Sequence, residues 1–180
     1  MGIPEPASGA AQPAEHGQYL KFQLGEETFA VGILNVKEII EYGNLTPVPM
    51  MPECIRGVIN LRGAVVPVID LACRFGRRGA AITRRTCIVI IEMEHGEAGR
   101  QDIGVVVDAV SAVVEIRAGE IEPPPAFGTH LRIDFIRGMG KVDGHFVIIL
   151  DVAKVLSLED LALLAQAGAA GTSAVDAAAA

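Results

Sequence analysis

The chain contains one stretch of sequence twice. Displaced by 81 positions, residues 55–72 fall on residues 136–153 without a gap. Seven of those eighteen pairs are identical, at Ile55, Arg56, Gly57, Gly63, Val66, Asp70 and Ala72 of the first copy. A second match has an offset of 74, where residues 29–41 fall on 103–115 with three identities in thirteen. Both matches keep the same order. A proline-bearing connector separates them each time, with Pro47, Pro49 and Pro52 in the first copy and Pro123, Pro124 and Pro125 in the second. A repeat of this kind constrains the fold strongly, because both copies must be able to form one supersecondary unit.

Each unit reads as a strand pair, a connector, a tight hairpin turned at Gly63 or Gly144, and a short helix begun at Asp70 or Asp151. An aspartate at that point caps the free N–H groups of the helix start. A unit of about 70 residues buries little apolar area by itself, so two units are expected to share an apolar interface. Valine and isoleucine supply 37 of the 180 residues, and β-branched side chains suit a pleated, half-buried surface. Aromatic residues are only 4% and tryptophan is absent, which makes the expected core aliphatic. The expected fold is mainly β: two packed SH3-like five-stranded β-barrels with short helices and a C-terminal helix.

Short Val/Ile runs bounded by Gly, Pro and Asp predict strands at 18–24, 28–31, 57–60, 64–69, 86–93, 103–107, 112–116, 136–141 and 145–150. Helices are predicted at 33–41, 71–75, 152–156 and 157–166, the last with Ser157 and Asp160 in a capping pattern. Residues 1–17 read as a disordered leader and 167–180 as an Ala-rich flexible tail. The folded domain is then 18–166, with repeat segments 29–72 and 103–153.

Composition excludes several functions. The longest uncharged stretch, 161–175, has fifteen residues and includes Gln166, Thr172 and Ser173, whereas a spanning helix needs about 20 apolar residues. No basic segment precedes an apolar run at the N-terminus, so a soluble, cytoplasmic protein with no membrane insertion is expected. A net charge of −7 argues against a nucleic-acid partner. The basic run Arg74, Arg77, Arg78, Arg84 and Arg85 is interleaved with Gly76 and Gly79 and reads as a solvated loop. Three cysteines without CxxC spacing and four scattered histidines suggest neither a disulfide framework nor a metal site.

Catalytic sets are not apparent. Phosphate-loop, nucleophile-elbow and HExxH patterns are absent. Asp70 and Asp151 occupy one place in both copies, which favours helix caps over paired acid and base. Cys54 has no histidine near it in sequence and reads as an inert thiol. His95, among Glu92, Glu94 and Glu97, reads as solvent-exposed. Neither an enzyme nor a cofactor is expected. The copies differ at the hairpin tip, where Asn60-Leu61-Arg62-Gly63 faces Lys141-Val142-Asp143-Gly144. A tip arginine gains no core contact, but its guanidinium suits a partner carboxylate.

At these residues the chain resembles the CheW family, the coupling adaptors of bacterial chemosensory arrays. The resemblance is carried by 22–31, 33–40, 55–71, 103–111, 121–125 and 136–140, of which 55–71 is the most specific. It implies two intertwined five-stranded barrels, no catalysis and two partners. One is the cytoplasmic tip of a methyl-accepting chemotaxis receptor; the other is the regulatory domain of the histidine kinase CheA, with which the adaptor alternates in rings. Ile33, Val36, Glu38 and Arg62 match positions implicated in receptor or kinase contact. Val113 falls in a strand lining the receptor groove, and Phe127 matches a position in the ring contact. Ile33, Val36 and Val113 would offer an apolar patch to a helix, with Glu38 and Arg62 at its rim. Ile39 and Ile40 complete the helical spacing and are assigned to the core. Glu122 stands where relatives carry a basic residue, and Cys87 where an aliphatic one is common. Two other readings stay open: a small-molecule-binding or enzymatic β-barrel, recognisable by a pocket of convergent polar groups, and the same adaptor in a non-flagellar chemosensory pathway.

Overall fold

The computed structural model describes residues 16–51, 53–77, 81–94, 99–124 and 133–156. Its strands are β1 (His16–Leu24), β2 (Glu27–Gly32), β3 (Val36–Glu41), β4 (Ile55–Leu61), β5 (Ala64–Asp70), β6 (Cys87–Glu94), β7 (Arg100–Val107), β8 (Ala109–Arg117), β9 (Ile121–Glu122), β10 (Ile136–Val142) and β11 (His145–Leu150). Helix α1 (Leu71–Arg74) follows β5 and α2 (Val152–Val155) follows β11. The expected helix at 157–166, the tail and Phe127 lie outside the described residues. Strand β1 starts at His16, inside the segment expected to be a leader.

The strands form two sheets, ordered β8-β1-β2-β11-β10-β9 (sheet A) and β3-β6-β7-β5-β4 (sheet B). Each curls into an SH3-like barrel. Sheet A closes where its outer strand β8 touches β10, the strand next to its other edge, and the outer strands of sheet B are joined where Arg62, just past β4, reaches Glu38 of β3. The copies do not make one barrel each, as the repeat alone suggested. Barrel A takes β1 and β2 from the first copy and the rest from the second; barrel B takes β6 and β7 from the second and the rest from the first. Each barrel joins the copies twice, by an antiparallel pair (β1–β8 or β3–β6) and by a parallel pair, with Ala30 beside Ile149 and Gly104 beside Val68. The two parallel pairs are equivalent under the repeat offsets. Intertwined barrels, the arrangement the family resemblance implied, are what the chain forms.

Interleaving explains why the strands read as continuous apolar runs rather than clean alternation. On β6, Ile88 and Ile90 fill barrel B, while Val89 and Ile91 face the other barrel. Tyr19, Ile116, Val147 and Ile149 fill barrel A. Between the barrels lies the largest cluster, threaded by Phe22, Phe29, Phe75 and Phe135, whose successive ring centroids are 6.0, 5.4 and 6.1 Å apart. Four of the six phenylalanines therefore sit in the inter-barrel core, so the aliphatic core expected from composition describes the barrels, apart from Tyr19 in barrel A, but not their interface.

The glycines and aspartates shared by the two copies do matching work. Arg62 and Gly63 have φ of 52° and 87°, and Asp143 and Gly144 have 50° and 79°, the two-residue turn whose twist matches antiparallel strands. Register slips between Ile55 and Gly57 in one copy and between Ile136 and Gly138 in the other. At Gly57 and Gly138 the connector passes so close that a Cβ would run into the Thr46 carbonyl oxygen or the Ile121 side chain. Asp70 accepts from the Cys73 N–H at 3.3 Å and Asp151 from the Lys154 N–H at 3.4 Å. The caps expected at both helices are present.

Three expectations are corrected. Residues 33–41 are not a helix: Ile33–Asn35 make one 3-10 turn and Val36–Glu41 are strand β3. The turn and then a bulge at Lys37, equivalent to one at Ser111, give a strand a false helical spacing. The basic run is not simply solvated. Arg74 donates to the Val155 carbonyl at 2.9 Å and stacks 4.8 Å from the Phe135 ring, and Arg77 pairs with Glu27. Cys54 is no free thiol: it is bonded to Cys73, the Cα atoms 5.2 Å apart. Nineteen residues of sequence hid that pairing, and the fold creates it by bringing the start of β4 against α1.

Candidate partner-binding surface

Strand β3 is an outer strand of sheet B and carries two of the six expected contact residues, Val36 and Glu38, with Ile33 in the turn just before it. Its bulge at Lys37 turns Glu38 to the same face as Ile40, opposite Ile90 and Ile88 of the barrel interior. Glu38 thus lies at the mouth of barrel B, where Arg62 Nη2 meets Glu38 Oε2 at 3.1 Å. The two residues are 24 apart in sequence, and barrel closure brings them together.

Around this pair runs a charged face. Glu92 of β6 and Asp102 of β7 stand directly opposite each other, an arrangement that like charges disfavour. Each has its own cation, Arg100 on Glu92 at 3.0 Å and Lys37 on Asp102 at 2.8 Å. The hydrogen bond to Asp102 first, then the charges of Asp102 and Glu92, hold the Lys37 ammonium pKa above the usual lysine value, against opposing contributions from desolvation and Arg62.

Apolar knobs adjoin the charges. Leu34, in the turn before β3, is 97% exposed, and Ile39 is 42% exposed. An open cleft of about 360 Å³ lies beside Leu34, lined also by Met93, Arg100 and Val152. Ile33 and Val36 are half-buried against the inter-barrel core, and Ile40 packs into barrel B. The assignment of Ile39 to the core is therefore corrected, since Ile39 is exposed, while Ile33 and Val36 are partly buried. Leu34 was missed because nothing in its spacing sets it apart.

On barrel A, Val113 of β8 is 53% exposed opposite Leu20. It is the repeat equivalent of Ile39. The hairpin strands show the same correspondence, with Val65 at 72% and its equivalent Phe146 at 54% exposure. Glu122 is exposed on β9, and Cys87 packs partly against the inter-barrel core, as a small apolar replacement would.

A cavity lined by Phe22, Val31, Leu71 and Val89 at the inter-barrel core measures about 10 Å³, space for one water at most. Among the described residues no cluster of three or more His, Cys, Asp or Glu is placed to hold a metal ion. No helix among them is long and apolar enough to cross a membrane.

The comparisons agree with this geometry. The CheW-like domain family matches residues 18–160. The chain is 35% identical over 147 residues to the chemotaxis protein CheW of Klebsiella aerogenes, covering 82% of this chain and 86% of that one. It is 32% identical to protein FrzA of Myxococcus xanthus, covering 82% and 89% respectively. The crystal structure of the scaffolding protein TtCheW from Thermoanaerobacter tengcongensis superposes with a TM-score of 0.70 at 34% identity, over 81% of this chain and 90% of that one.

Proposed function

Because the chain belongs to the CheW family, we propose that it is a non-catalytic adaptor that couples methyl-accepting chemotaxis receptors to the histidine kinase CheA on the cytoplasmic side of a chemosensory array. The observation that carries this reading is the Glu38–Arg62 pair. Two residues that the resemblance independently marks as contact positions meet at one exposed place. The same strand and the turn before it carry the exposed side chains of Ile39 and Leu34. Apolar knobs with a charged rim suit a protein partner, and a receptor tip built of helices offers a complementary ridge. Val113 gives barrel A a corresponding apolar position, and Phe127 is assigned to the ring contact with the kinase regulatory domain.

The test is capture of a CheA regulatory domain and of a receptor cytoplasmic fragment by the purified chain, with Arg62→Glu in parallel. Capture of both, weakened for at least one partner by the reversal, supports the adaptor. Capture of neither by the unaltered chain overturns it.

A further inference from the structure

Barrel B has a covalent link that its equivalent corner in barrel A lacks. Cys54 is bonded to Cys73; the equivalent residues of the second copy are Phe135 and Lys154. The corner closes the same way in both copies. The Asp70 N–H donates to the Cys54 carbonyl at 2.7 Å, and the Asp151 N–H donates to the Phe135 carbonyl at 2.8 Å. Both aspartates also cap their helices. In barrel A the same backbone corner therefore closes without sulfur, with Phe135 in the core at the place of Cys54, so the backbone bond of the corner does not itself require the disulfide. Both cysteines are partly exposed, within reach of a small thiol. Cys87 is apart from them on β6, its Sγ donating to the Arg85 carbonyl at 3.2 Å.

The bond also anchors something. The first connector is held at its start by the Thr46–Val58 pair, with N–H to O distances of 2.8 and 2.9 Å, and at its end by Cys54. Between these anchors Met50 and Met51 are 63% and 43% exposed, and Met50 has a φ of 65°. A non-glycine residue keeps such a backbone only where its surroundings fix it.

We propose that Cys54 and Cys73 are a reversible redox site, a dithiol–disulfide pair that exchanges with small-molecule thiols and whose state sets the order of the Met50–Met51 segment. In the oxidising direction one cysteine thiolate attacks a small disulfide such as oxidised glutathione, forming a mixed disulfide and releasing one glutathione thiolate. The second cysteine thiolate attacks the protein sulfur of that mixed disulfide and releases the other. Two electrons pass from the cysteine pair to glutathione, one disulfide replaces another, and the cysteine protons end on the two glutathione thiols. In a reducing compartment, disulfides of this kind are transient and serve as sensors rather than struts.

The experiment uses the full chain carrying Cys87→Ser, equilibrated with reduced and oxidised glutathione over a wide range of ratios. Free thiols are counted by alkylation and intact mass, and amide exchange is followed in the peptide spanning 44–51. The expected result is reversible passage between no free thiols and two, with a cooperative melting transition in both states and several-fold faster exchange in 44–51 on reduction. The double variant Cys54→Ser/Cys73→Ser is expected to fold and to exchange like the reduced chain. Two free thiols at every ratio, or loss of the melting transition on reduction, would overturn the redox site. Equal exchange in both states would overturn its effect on the connector.

Discussion

Arg62 and Glu38 join the β4–β5 turn to β3 across the 3.1 Å gap between Nη2 and Oε2, linking the two outer strands of barrel B. The side chain of Arg62 is 76% exposed and that of Glu38 24%. Such a pair is worth about 0.2–1 kcal/mol, so it contributes little to stability and leaves a guanidinium presented at the barrel mouth.

Arg62→Glu is expected to lower Tm by no more than about 3 °C, while weakening capture of at least one partner about tenfold or more. The swap Glu38→Arg with Arg62→Glu restores the internal pair with its charges exchanged. Tm should then recover while capture stays weak, as expected where Arg62 itself touches the partner. Recovery of capture in the swap would instead make the pair a positioning device, read out by a double-mutant cycle.

Leu34→Asp, Ile39→Asp and Val113→Asp replace exposed side chains, and each should change stability by no more than about 0.5 kcal/mol while reducing capture. Ile33→Asp and Val36→Asp place a carboxylate against the inter-barrel core and should cost about 2 kcal/mol or more. Chemical denaturation of the five variants beside their binding separates the two sets. If Ile33→Asp keeps full stability, its side chain belongs to the surface after all.

Much of this was legible because the repeat imposed the same demands twice. The Gly63 and Gly144 turns, the Asp70 and Asp151 caps and most strands follow from residue types whose local chemistry decides the backbone. What escaped depends on closure. The repeat showed two units but not their exchange of strands, because the parallel pairs β2–β11 and β5–β7 join segments with no local signal. Turn and bulge make β3 imitate a helix, whose spacing puts Ile39 on the apparent core stripe. Cys54 and Cys73, Lys37 and Asp102, and Arg74 and Val155 meet only once the barrels have closed.

Lys37 predicts a pH effect with a definite sign. Its bond to Asp102 raises its folded pKa above the ordinary 10.5. Its contribution to stability is therefore complete below pH 10.5 and disappears as pH rises through the raised folded value. The Tm difference between the unaltered chain and Lys37→Met should shrink across that alkaline range, and should shrink also with added salt. A difference that is constant through it would mean that Lys37 acts through its methylene stem.

Gly57 and Gly138 are repeat equivalents with unequal tolerance for a side chain. At Gly57, φ is +151° and a Cβ would strike the backbone oxygen of Thr46, which the Thr46–Val58 pair holds in place. At Gly138 the nearest atom is the Ile121 Cγ2 at 2.6 Å, a side-chain methyl, with the Glu122 oxygen at 3.0 Å. The Ile121 methyl can move by a shift of its χ1, whereas the paired Thr46 carbonyl is fixed in the backbone. Gly57→Ala should therefore cost about 2–4 kcal/mol and Gly138→Ala about 1–2 kcal/mol, with the larger loss of Tm in barrel B. Equal losses would show that the β9 backbone at Glu122 is as rigid as the Thr46 bridge.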